Sequence, residues 1–214
     1  MAQNYLVSSW QSLLKILVNL CGKGYFYYHL TELPVNKKKK WEEIDAKFIK
    51  KYQSDKNKWQ RQRQKRKGVA NFYYLRWEHI VLVLHTEGEV PKEIIYDDKV
   101  SDVRQSPIFI KISELSAFRI QFIKDRVTVF LDSDTYKGLK DSLYNVAKTK
   151  SKFKMKQAFN LINGYPAYKG ILEQKNHLAE YLVSQAKKHG VTFKRNELRF
   201  NTKLEPRKIY NDSV

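Results

Sequence analysis

Three side chains suited to metal chemistry, His79, His85 and Glu87, follow an aromatic stretch of the sequence. If residues 79–87 form one regular strand, all three point to the same face, because side chains alternate along a strand. His85 and Glu87 would then lie close enough to share a divalent cation, for which imidazole nitrogen and carboxylate oxygen are suitable ligands. The alternative is a pair of polar residues at a strand end. The sequence contains no HExxH, paired-cysteine zinc, P-loop or GxSxG motif.

Tyr144 and Lys148 lie four positions apart in the C-terminal part of the sequence. The order of Leu30-Thr31-Glu32-Leu33-Pro34, a basic helix and His85-Thr86-Glu87 resembles the opening of HUH-type rolling-circle replication initiators and relaxases. Tyr144 with Lys148 is similar to the catalytic tyrosine and following lysine of that family. The resemblance implies a tyrosine nucleophile that cleaves one DNA strand and stays joined to its 5′ phosphate, with Mg or Mn held by His85 and Glu87. The chain departs from the family pattern at Glu87, which replaces the second histidine, and at the polar Thr86.

A basic stretch after Asp55 indicates a different function, the binding of nucleic acid. Its cationic residues, which have no acidic residue among them, are Lys56, Lys58, Arg61, Arg63, Lys65, Arg66 and Lys67. An ordinary surface helix carries glutamates one turn away from its lysines, whereas cations without counter-charges suit contacts to phosphate. The alternative is a solvated helix face.

A second basic region runs from Lys137 to Lys156, and the cations near Ser151 are Lys148, Lys150, Lys152, Lys154 and Lys156. Ser151 can cap a helix, whose free N–H groups would also suit a phosphate. Two basic regions predict a long footprint on the nucleic acid and a steep salt dependence of binding. A solvated surface is again the alternative.

Aromatic residues beside the basic stretch could contact bases. In the predicted strand after Asn71, Tyr73 and Trp77 share one face, which could offer stacking platforms for unpaired bases. Core packing is the alternative for each ring.

The composition favours a globular protein with an anionic partner. The chain of 214 residues is 42% apolar and 14% aromatic and carries a formal net charge of +19. Such a charge opposes compaction and usually persists because a polyanion neutralises it, so we expect nucleic acid, RNA or single-stranded DNA, and no membrane. Cys21 is the only cysteine, which favours an intracellular protein, cytoplasmic or associated with the nucleoid or nucleus, and not secreted.

The elements that must position these residues are predicted from apolar spacing, caps and turn residues. In the first half we predict a helix over 4–20, a strand over 25–33, a long basic helix over 40–66, strands over 70–77 and 79–86, and a loop over 87–106. The two central strands could also be one long bent strand. Trp59 falls on the apolar face of the long helix, in register with Trp41 and Tyr52.

The second half is predicted to change from strands to helices. Strands are expected over 108–112, 117–123 and 127–131, helices after Asp134, after Ser151 and over 167–188, a last strand within 191–201, and a loose tail after Lys203. The fold class is therefore α+β, with a central, mainly antiparallel sheet packed by helices, an N-terminal helix and a helical C-terminal half. Residues 1–133 would form the α+β core and residues 134–214 a helical region, unless the two form one continuous domain.

The sequence thus predicts a nucleic-acid-binding protein, an accessory subunit of a mobile-element or RNA–protein complex, with other protein subunits as further partners. Two alternatives stay open: a metal-dependent DNA strand-nicking enzyme, and a basic structural or ribosome-associated protein. RNA and DNA are not distinguished by the sequence.

Overall fold

The chain folds into strands and helices, with helices dominating its C-terminal half. The computed structural model describes residues 5–94, 99–202 and 209–210. The described helices are α1 (Trp10–Gly22), α2 (Trp41–Lys51), α3 (Lys58–Arg66), α4 (Ser133–Lys148), α5 (Lys152–Ile162) and α6 (Lys169–Lys188), with short 3₁₀ segments at Val35–Lys40 and Arg195–Glu197. The described strands are β1 (Tyr27–Glu32), β2 (Phe72–Trp77), β3 (Ile80–His85), β4 (Ser101–Asp102), β5 (Ile108–Ser113), β6 (Ser116–Ile123) and β7 (Arg126–Leu131). The predicted α+β fold class is confirmed.

The described residues fall into two compact units. The N-terminal unit comprises those within Met1–Ile108, Gln121–Val127 and Arg207–Val214, and the C-terminal unit those within Phe109–Ile120 and Thr128–Pro206. The prediction divided the chain after residue 133, whereas the structure groups most of β5, β6 and β7 with the C-terminal helices. Within the ranges that the structure describes, no helix is both long enough and apolar enough to cross a membrane.

The N-terminal unit is built on a sheet with the strand order β2-β3-β1-β4. β3 pairs antiparallel with β1 and β2, so that His85 lies opposite both Tyr27 and Phe72. All six residues of β3 are buried, as its continuous apolar run predicts for a central strand covered on both faces. Glu78 adopts a left-handed backbone with φ of +47° between β2 and β3. The two strands therefore form a hairpin and not one long bent strand.

A buried ionic cluster attaches α2 to this sheet. The Asp45 carboxylate is fully buried and accepts a hydrogen bond of 2.6 Å from the Tyr74 hydroxyl. Arg76 Nε donates to both carboxylate oxygens of Asp45, at 2.8 and 2.9 Å, and the Arg76 guanidinium lies 5.4 Å from the Trp41 ring centroid. The charges are buried together, because a buried charge is tolerated only when it is paired and hydrogen-bonded.

The prediction of one helix over 40–66 is wrong, because α2 and α3 are separate helices. Tyr52 follows α2, is 1% exposed and stacks on Phe72 with 5.4 Å between ring centroids. Gln53 then takes a left-handed backbone with φ of +46°, which ends the helix. Asn57 starts the next one by accepting a hydrogen bond from Gln60 N. A buried aromatic anchor followed by a strong cap therefore overrides the continuous apolar spacing.

Residues 5–8 and 209–210 extend the N-terminal sheet beyond β2. Val7 N donates to Arg76 O at 2.8 Å, and Arg76 N donates to Tyr5 O at 3.0 Å. Ser8 N donates in turn to Ile209 O at 3.2 Å, and Tyr210 forms a β-bridge with Val7. The prediction of a loose tail after residue 203 is thus wrong for residues 209–210, and its remaining residues lie outside the described ranges.

The second sheet has the strand order β5-β6-β7. Lys124 and Asp125 turn the chain between β6 and β7 with φ values of +47° and +61°, the backbone expected of a two-residue hairpin loop. In the C-terminal unit, α4, α5 and α6 share one apolar core. Its buried side chains include Leu143, Ala147, Met155, Phe159, Ile162, Leu178, Ala179, Leu182 and Ala186.

The predicted strand within 191–201 is wrong. Phe193 and Leu198 are buried in the helical core, and the segment between them contains a 3₁₀ turn. The Asn163 side chain takes the place of a strand partner, because its Nδ2 donates to Arg199 O at 2.8 Å and its Oδ1 accepts from Asn201 N at 3.1 Å. Phe193 and Leu198 bury their side chains against helices, so this segment does not need strand pairing to be held in place.

A lysine, Lys175, is fully buried within α6. Its Nζ donates to the Tyr165 carbonyl oxygen at 2.7 Å, and no carboxylate among the described residues forms a salt bridge with it. Burial lowers the pKa of Lys175 to about 8, because desolvation disfavours the ammonium form. This hydrogen bond thus attaches the segment between α5 and α6 to α6.

Candidate nucleic-acid interface

The basic helix α3 is fixed by its two ends rather than by an apolar face. At its start, Asn57 Oδ1 accepts from Gln60 N at 3.0 Å, and Gln60 Oε1 accepts from Asn57 N at 2.8 Å. This reciprocal capping box satisfies two backbone donors of the first turn. At its end, Gly68 has φ of +71° and Val69 N donates to Gln64 O at 3.0 Å. None of the nine residues of α3 is buried.

Arg61 holds α3 against the rest of the N-terminal unit. Its NH2 group donates to Ser54 O at 2.7 Å, and its guanidinium carbon lies 4.6 Å from the Tyr73 ring centroid. The Asn71 side chain donates to Arg61 O at 3.1 Å. Arg61 was predicted to contact phosphate, but these contacts make it a positioning residue for the helix.

The segment that follows α3 is pinned to the loop after β3. Glu89 N donates to Gly68 O at 2.8 Å and Ala70 N donates to Glu89 O at 2.9 Å. Gly88 has φ of +129°, and a Cβ there would lie 2.6 Å from Gly68 O. Only glycine fits this close approach of two backbones, which sets where α3 ends.

The free face of α3 carries positive charge without counter-charge. Its exposed cationic side chains are Lys58, Arg63, Lys65 and Arg66, and the exposed Lys67 follows as the C-cap. Residues 58–67 include no acidic residue, and none of the five cations forms a salt bridge within the described part of the chain. We call these five residues the α3 cationic face. Lys56, also predicted to bind nucleic acid, is instead half-buried, donates to Gln53 Oε1 at 3.0 Å, and has its pKa lowered by burial.

The two aromatic residues predicted to stack on bases serve the packing of the protein. Trp77 is only 8% exposed. The ring of Tyr73 is half-buried, meets Tyr25 edge to face at 5.9 Å between centroids, and its hydroxyl lies 2.9 Å from that of Tyr210. Core packing, the alternative given for each ring, therefore holds for Trp77, whereas the half-buried Tyr73 packs against Tyr25 and Tyr210.

An exposed aromatic residue that the sequence pattern placed in the core is Trp59, which is 69% exposed on α3. Its assignment to an apolar face assumed one continuous helix from Trp41. Because residues 52–57 interrupt the helix, the faces of α3 are not in register with those of α2. The signal that could have revealed this is the polar segment before Asn57, which is rich in capping residues.

The second basic region lies at the junction of α4 and α5 in the C-terminal unit. Lys150 has a left-handed backbone with φ of +56°, and the Ser151 hydroxyl caps α5 by accepting from Lys154 N at 3.3 Å. Lys150, Lys152 and Lys154 are exposed. Lys156 forms a salt bridge of 2.9 Å with Glu197, so part of the positive charge of this region is neutralised within the protein.

The pair predicted to bind a metal, His85 and Glu87, is held by other groups. The His85 ring is 6% exposed and lies between Tyr27 and Phe72, with ring centroids 4.8 and 4.9 Å away. Its Nδ1 lies 2.9 Å from Thr86 O, and burial lowers the pKa of the imidazole. The Glu87 carboxylate accepts from Arg104 at 2.7 Å.

Arg104 also binds Asp102, with 2.7 Å between NH2 and Oδ2. Its guanidinium therefore joins the loop after β3 to β4, and these hydrogen bonds lower the pKa of Asp102. His79 lies in the turn before β3, 4.0 Å from the Glu32 carboxylate. Among the residues that the structure describes, no group of three or more histidine, cysteine or acidic side chains could hold a metal ion.

The candidate nucleophile lies on α4. Tyr144 is 37% exposed, and Lys148 Nζ lies 4.1 Å from its ring centroid. Both belong to the C-terminal unit, whereas His85 and Glu87 belong to the N-terminal unit. Comparison of the chain with protein-family models, curated proteins and solved structures found no match. The resemblance to HUH-type enzymes therefore stays a prediction from the residues named for it.

Proposed function

We propose that this protein binds nucleic acid through the α3 cationic face. The observation that carries the proposal is the charge of this helix: five exposed cations stand within ten residues and have no acidic residue among them. Like charges at this density repel one another, and a polyanion relieves that repulsion by lying along the helix. Phosphate oxygens accept hydrogen bonds from both arginine and lysine.

The helix is built to present these side chains rather than to bury a face. Its two ends are capped and its middle is held by Arg61. The backbone is therefore already ordered, and binding does not lose conformational entropy by ordering it. An anionic membrane is a poorer partner, because a membrane-surface helix needs a broad apolar face. Trp59 is the only large apolar residue of α3.

The proposed partner is RNA or single-stranded DNA, and the proposed setting is an accessory subunit of a mobile-element or RNA–protein complex. A basic structural or ribosome-associated role would use the same surface. A clear preference for folded RNA over unstructured strands would indicate that role.

Binding is tested by fluorescence anisotropy of a labelled oligonucleotide with the full-length protein over a series of salt concentrations. The test variant replaces Arg63, Lys65 and Arg66 by Gln. The control variant replaces the exposed Lys15, Lys187 and Lys188 by Gln, which removes the same charge from α1 and α6. Losing three phosphate contacts to a single strand should reduce the slope of log K against log salt by about 2.

The control variant should keep most of the slope and affinity of the wild type. Equal losses in the two variants would mean that only net charge matters and that α3 is not the interface. Failure of the wild-type protein to bind RNA or DNA at low salt would exclude the proposed function altogether.

A second candidate function is DNA strand nicking, favoured by the exposed Tyr144 beneath the Lys148 ammonium. In that reaction the Tyr144 hydroxyl would lose its proton, and its oxygen would form a bond to phosphorus while the bond from phosphorus to the 3′ oxygen breaks. Tyr144 would stay joined to the 5′ phosphate, and the released 3′ oxygen would take up a proton to become a hydroxyl. Incubation with labelled single-stranded DNA and Mg²⁺ or Mn²⁺, followed by a denaturing gel, would reveal the covalent adduct. Its loss in Tyr144→Phe, with binding unchanged, would support nicking; no adduct in the wild type would exclude it.

A further inference from the structure

Trp59 is a large ring displayed to solvent on the most basic helix of the N-terminal unit. Its 69% exposure contrasts with 7% for Trp41 and 8% for Trp77 in the same unit. Burying a tryptophan ring is strongly favourable, yet α3 leaves this one outside the core, with its backbone fixed by the neighbouring capping box of Asn57 and Gln60.

The residues that share a helix face with Trp59 are cationic or amide side chains. Arg63 follows one turn later and Arg66 two turns later, so both are neighbours along the same face. Helical rise places their Cα atoms about 6 and 10 Å further along the axis. Gln62, on the same face, is exposed as well. A flat ring is thus followed by two guanidinium groups along one line.

We propose that Trp59 stacks on an unpaired base while Arg63 and Arg66 bind the phosphates beside it, so that the substrate class is single-stranded nucleic acid. This inference rests on the proposed function and names the form of nucleic acid it acts on. Bases in a duplex are stacked on one another and do not offer a free face to a side chain from outside. An unpaired base does, and aromatic rings in basic grooves are the usual platform for it.

A protein partner fits this surface less well. The centre of a protein–protein interface is an apolar patch with several buried anchors. Trp59 stands alone among lysine, arginine and glutamine, a composition that suits a sugar–phosphate backbone with one base laid on the ring. Stacking uses the face of a base and not its edges, so binding is expected to tolerate different sequences.

The first test compares an unstructured labelled oligonucleotide with its duplex, using the full-length protein. Trp59→Ala should weaken binding of the single strand by about 10-fold and leave its salt slope and the duplex affinity unchanged, because no charge is removed. Trp59→Phe, which keeps a smaller ring, should lose less affinity for the single strand than Trp59→Ala. The matched control is Phe109→Ala, which truncates a 51% exposed ring in the C-terminal unit and should bind like the wild type.

The second test follows intrinsic tryptophan fluorescence on adding the unlabelled strand. The exposed Trp59 should be quenched on stacking, and the quenching should disappear in Trp59→Phe, which retains Trp10, Trp41 and Trp77. Circular dichroism of each variant checks that it is folded, as expected for a side chain outside the core.

The outcomes separate the two proposals. If replacing Arg63, Lys65 and Arg66 weakens binding but Trp59→Ala does not, the stacking inference fails while the binding function stands. Equal losses for single strand and duplex in Trp59→Ala would also overturn it. If the wild type binds neither form, the proposed function itself fails.

Discussion

The guanidinium of Arg61 lies over the ring of Tyr73, with 4.6 Å between its carbon and the ring centroid. Arg61, the half-buried arginine at the centre of the basic stretch, thereby holds α3 in place. One face of α3 is held by this contact and by the hydrogen bond from Arg61 to Ser54 O. Arg63, Arg66 and Lys67 lie more than a quarter turn away from Arg61 around the helix, whereas Lys58 and Lys65 are its neighbours along the same face. One short helix therefore carries both a positioning residue and the proposed binding residues.

Substitution of Arg61 should lower the stability of the protein, whereas substitution of Arg63 should lower its affinity for nucleic acid. Arg61→Ala is expected to lower the free energy of unfolding by about 1–2 kcal/mol, because it removes a hydrogen bond and a cation–π contact. Arg63→Ala should change stability by less than about 0.5 kcal/mol, as an exposed residue without such contacts, but should weaken oligonucleotide binding. Urea unfolding and anisotropy titrations of both variants measure the two effects.

The conservative change Arg61→Lys serves as the control for charge. It keeps the positive charge but loses the planar group that covers the Tyr73 ring, so stability should still fall. If Arg61→Lys matched the wild type in stability while Arg61→Ala weakened binding, Arg61 would be a phosphate contact after all.

Gly88 should be intolerant of even a methyl group. Its φ of +129° is strained for other residues, and the added Cβ would lie 2.6 Å from Gly68 O. We expect Gly88→Ala to destabilise the protein by about 1–3 kcal/mol and to loosen the end of α3. Gly138→Ala is the matched control, because a Cβ there meets nothing within 4 Å; within α4 it should stabilise by up to about 1 kcal/mol. Similar thermal midpoints for the two variants would contradict the role given to Gly88.

The fold class and most elements could be predicted from the sequence because their signals are local. The apolar and aromatic residues over 70–77 and 79–86 indicated strands, and Ser151 indicated the start of α5. The errors occurred where a distant partner decides the structure. The stacking of Tyr52 on Phe72 interrupts the long helix, and the core of α4, α5 and α6 takes up Phe193 and Leu198 as a segment outside any sheet.

The candidate site was predictable in its charge and not in its geometry. Composition alone identified the stretch from Lys56 to Lys67, because the missing acids are visible in the sequence. Which members point outward depends on where α3 begins and on the contacts of Arg61, and neither follows from charge. The same break in the helix moved Trp59 from the predicted core to the surface. One misplaced helix boundary thus changed the assigned role of a tryptophan.

Substitutions that disrupt the buried cluster around Asp45 should lower the free energy of unfolding. Asp45→Ala would leave the Arg76 guanidinium buried without its carboxylate, which is expected to cost about 3–5 kcal/mol. Tyr74→Phe removes only the hydroxyl hydrogen bond to the carboxylate and should cost about 1.5–3 kcal/mol. Glu114→Ala is the control, because its salt bridge with Lys111 is exposed and should contribute less than about 1 kcal/mol. Urea denaturation measures the stability of the three variants. If Asp45→Ala were as stable as Glu114→Ala, the buried cluster would not have the role given to it.

Lys175 should make stability depend on pH in the alkaline range. Burial lowers the pKa of its ammonium from 10.5 to about 8 in the folded protein. Between these values the unfolded chain binds more protons than the folded one, so the free energy of unfolding rises with pH. Below pH 8 the group is charged in both states, and its contribution no longer changes.

The test is the difference in unfolding free energy between wild type and Lys175→Met, measured in urea at several values from pH 7.5 to 10.5. Methionine has a similar length and does not titrate, so other ionisable groups cancel in the difference. The difference should move in favour of the wild type as the pH rises, by an amount on the order of 3 kcal/mol. A constant difference over this range would mean that the Lys175 ammonium is stabilised in the folded state, despite its burial, as well as it is in water.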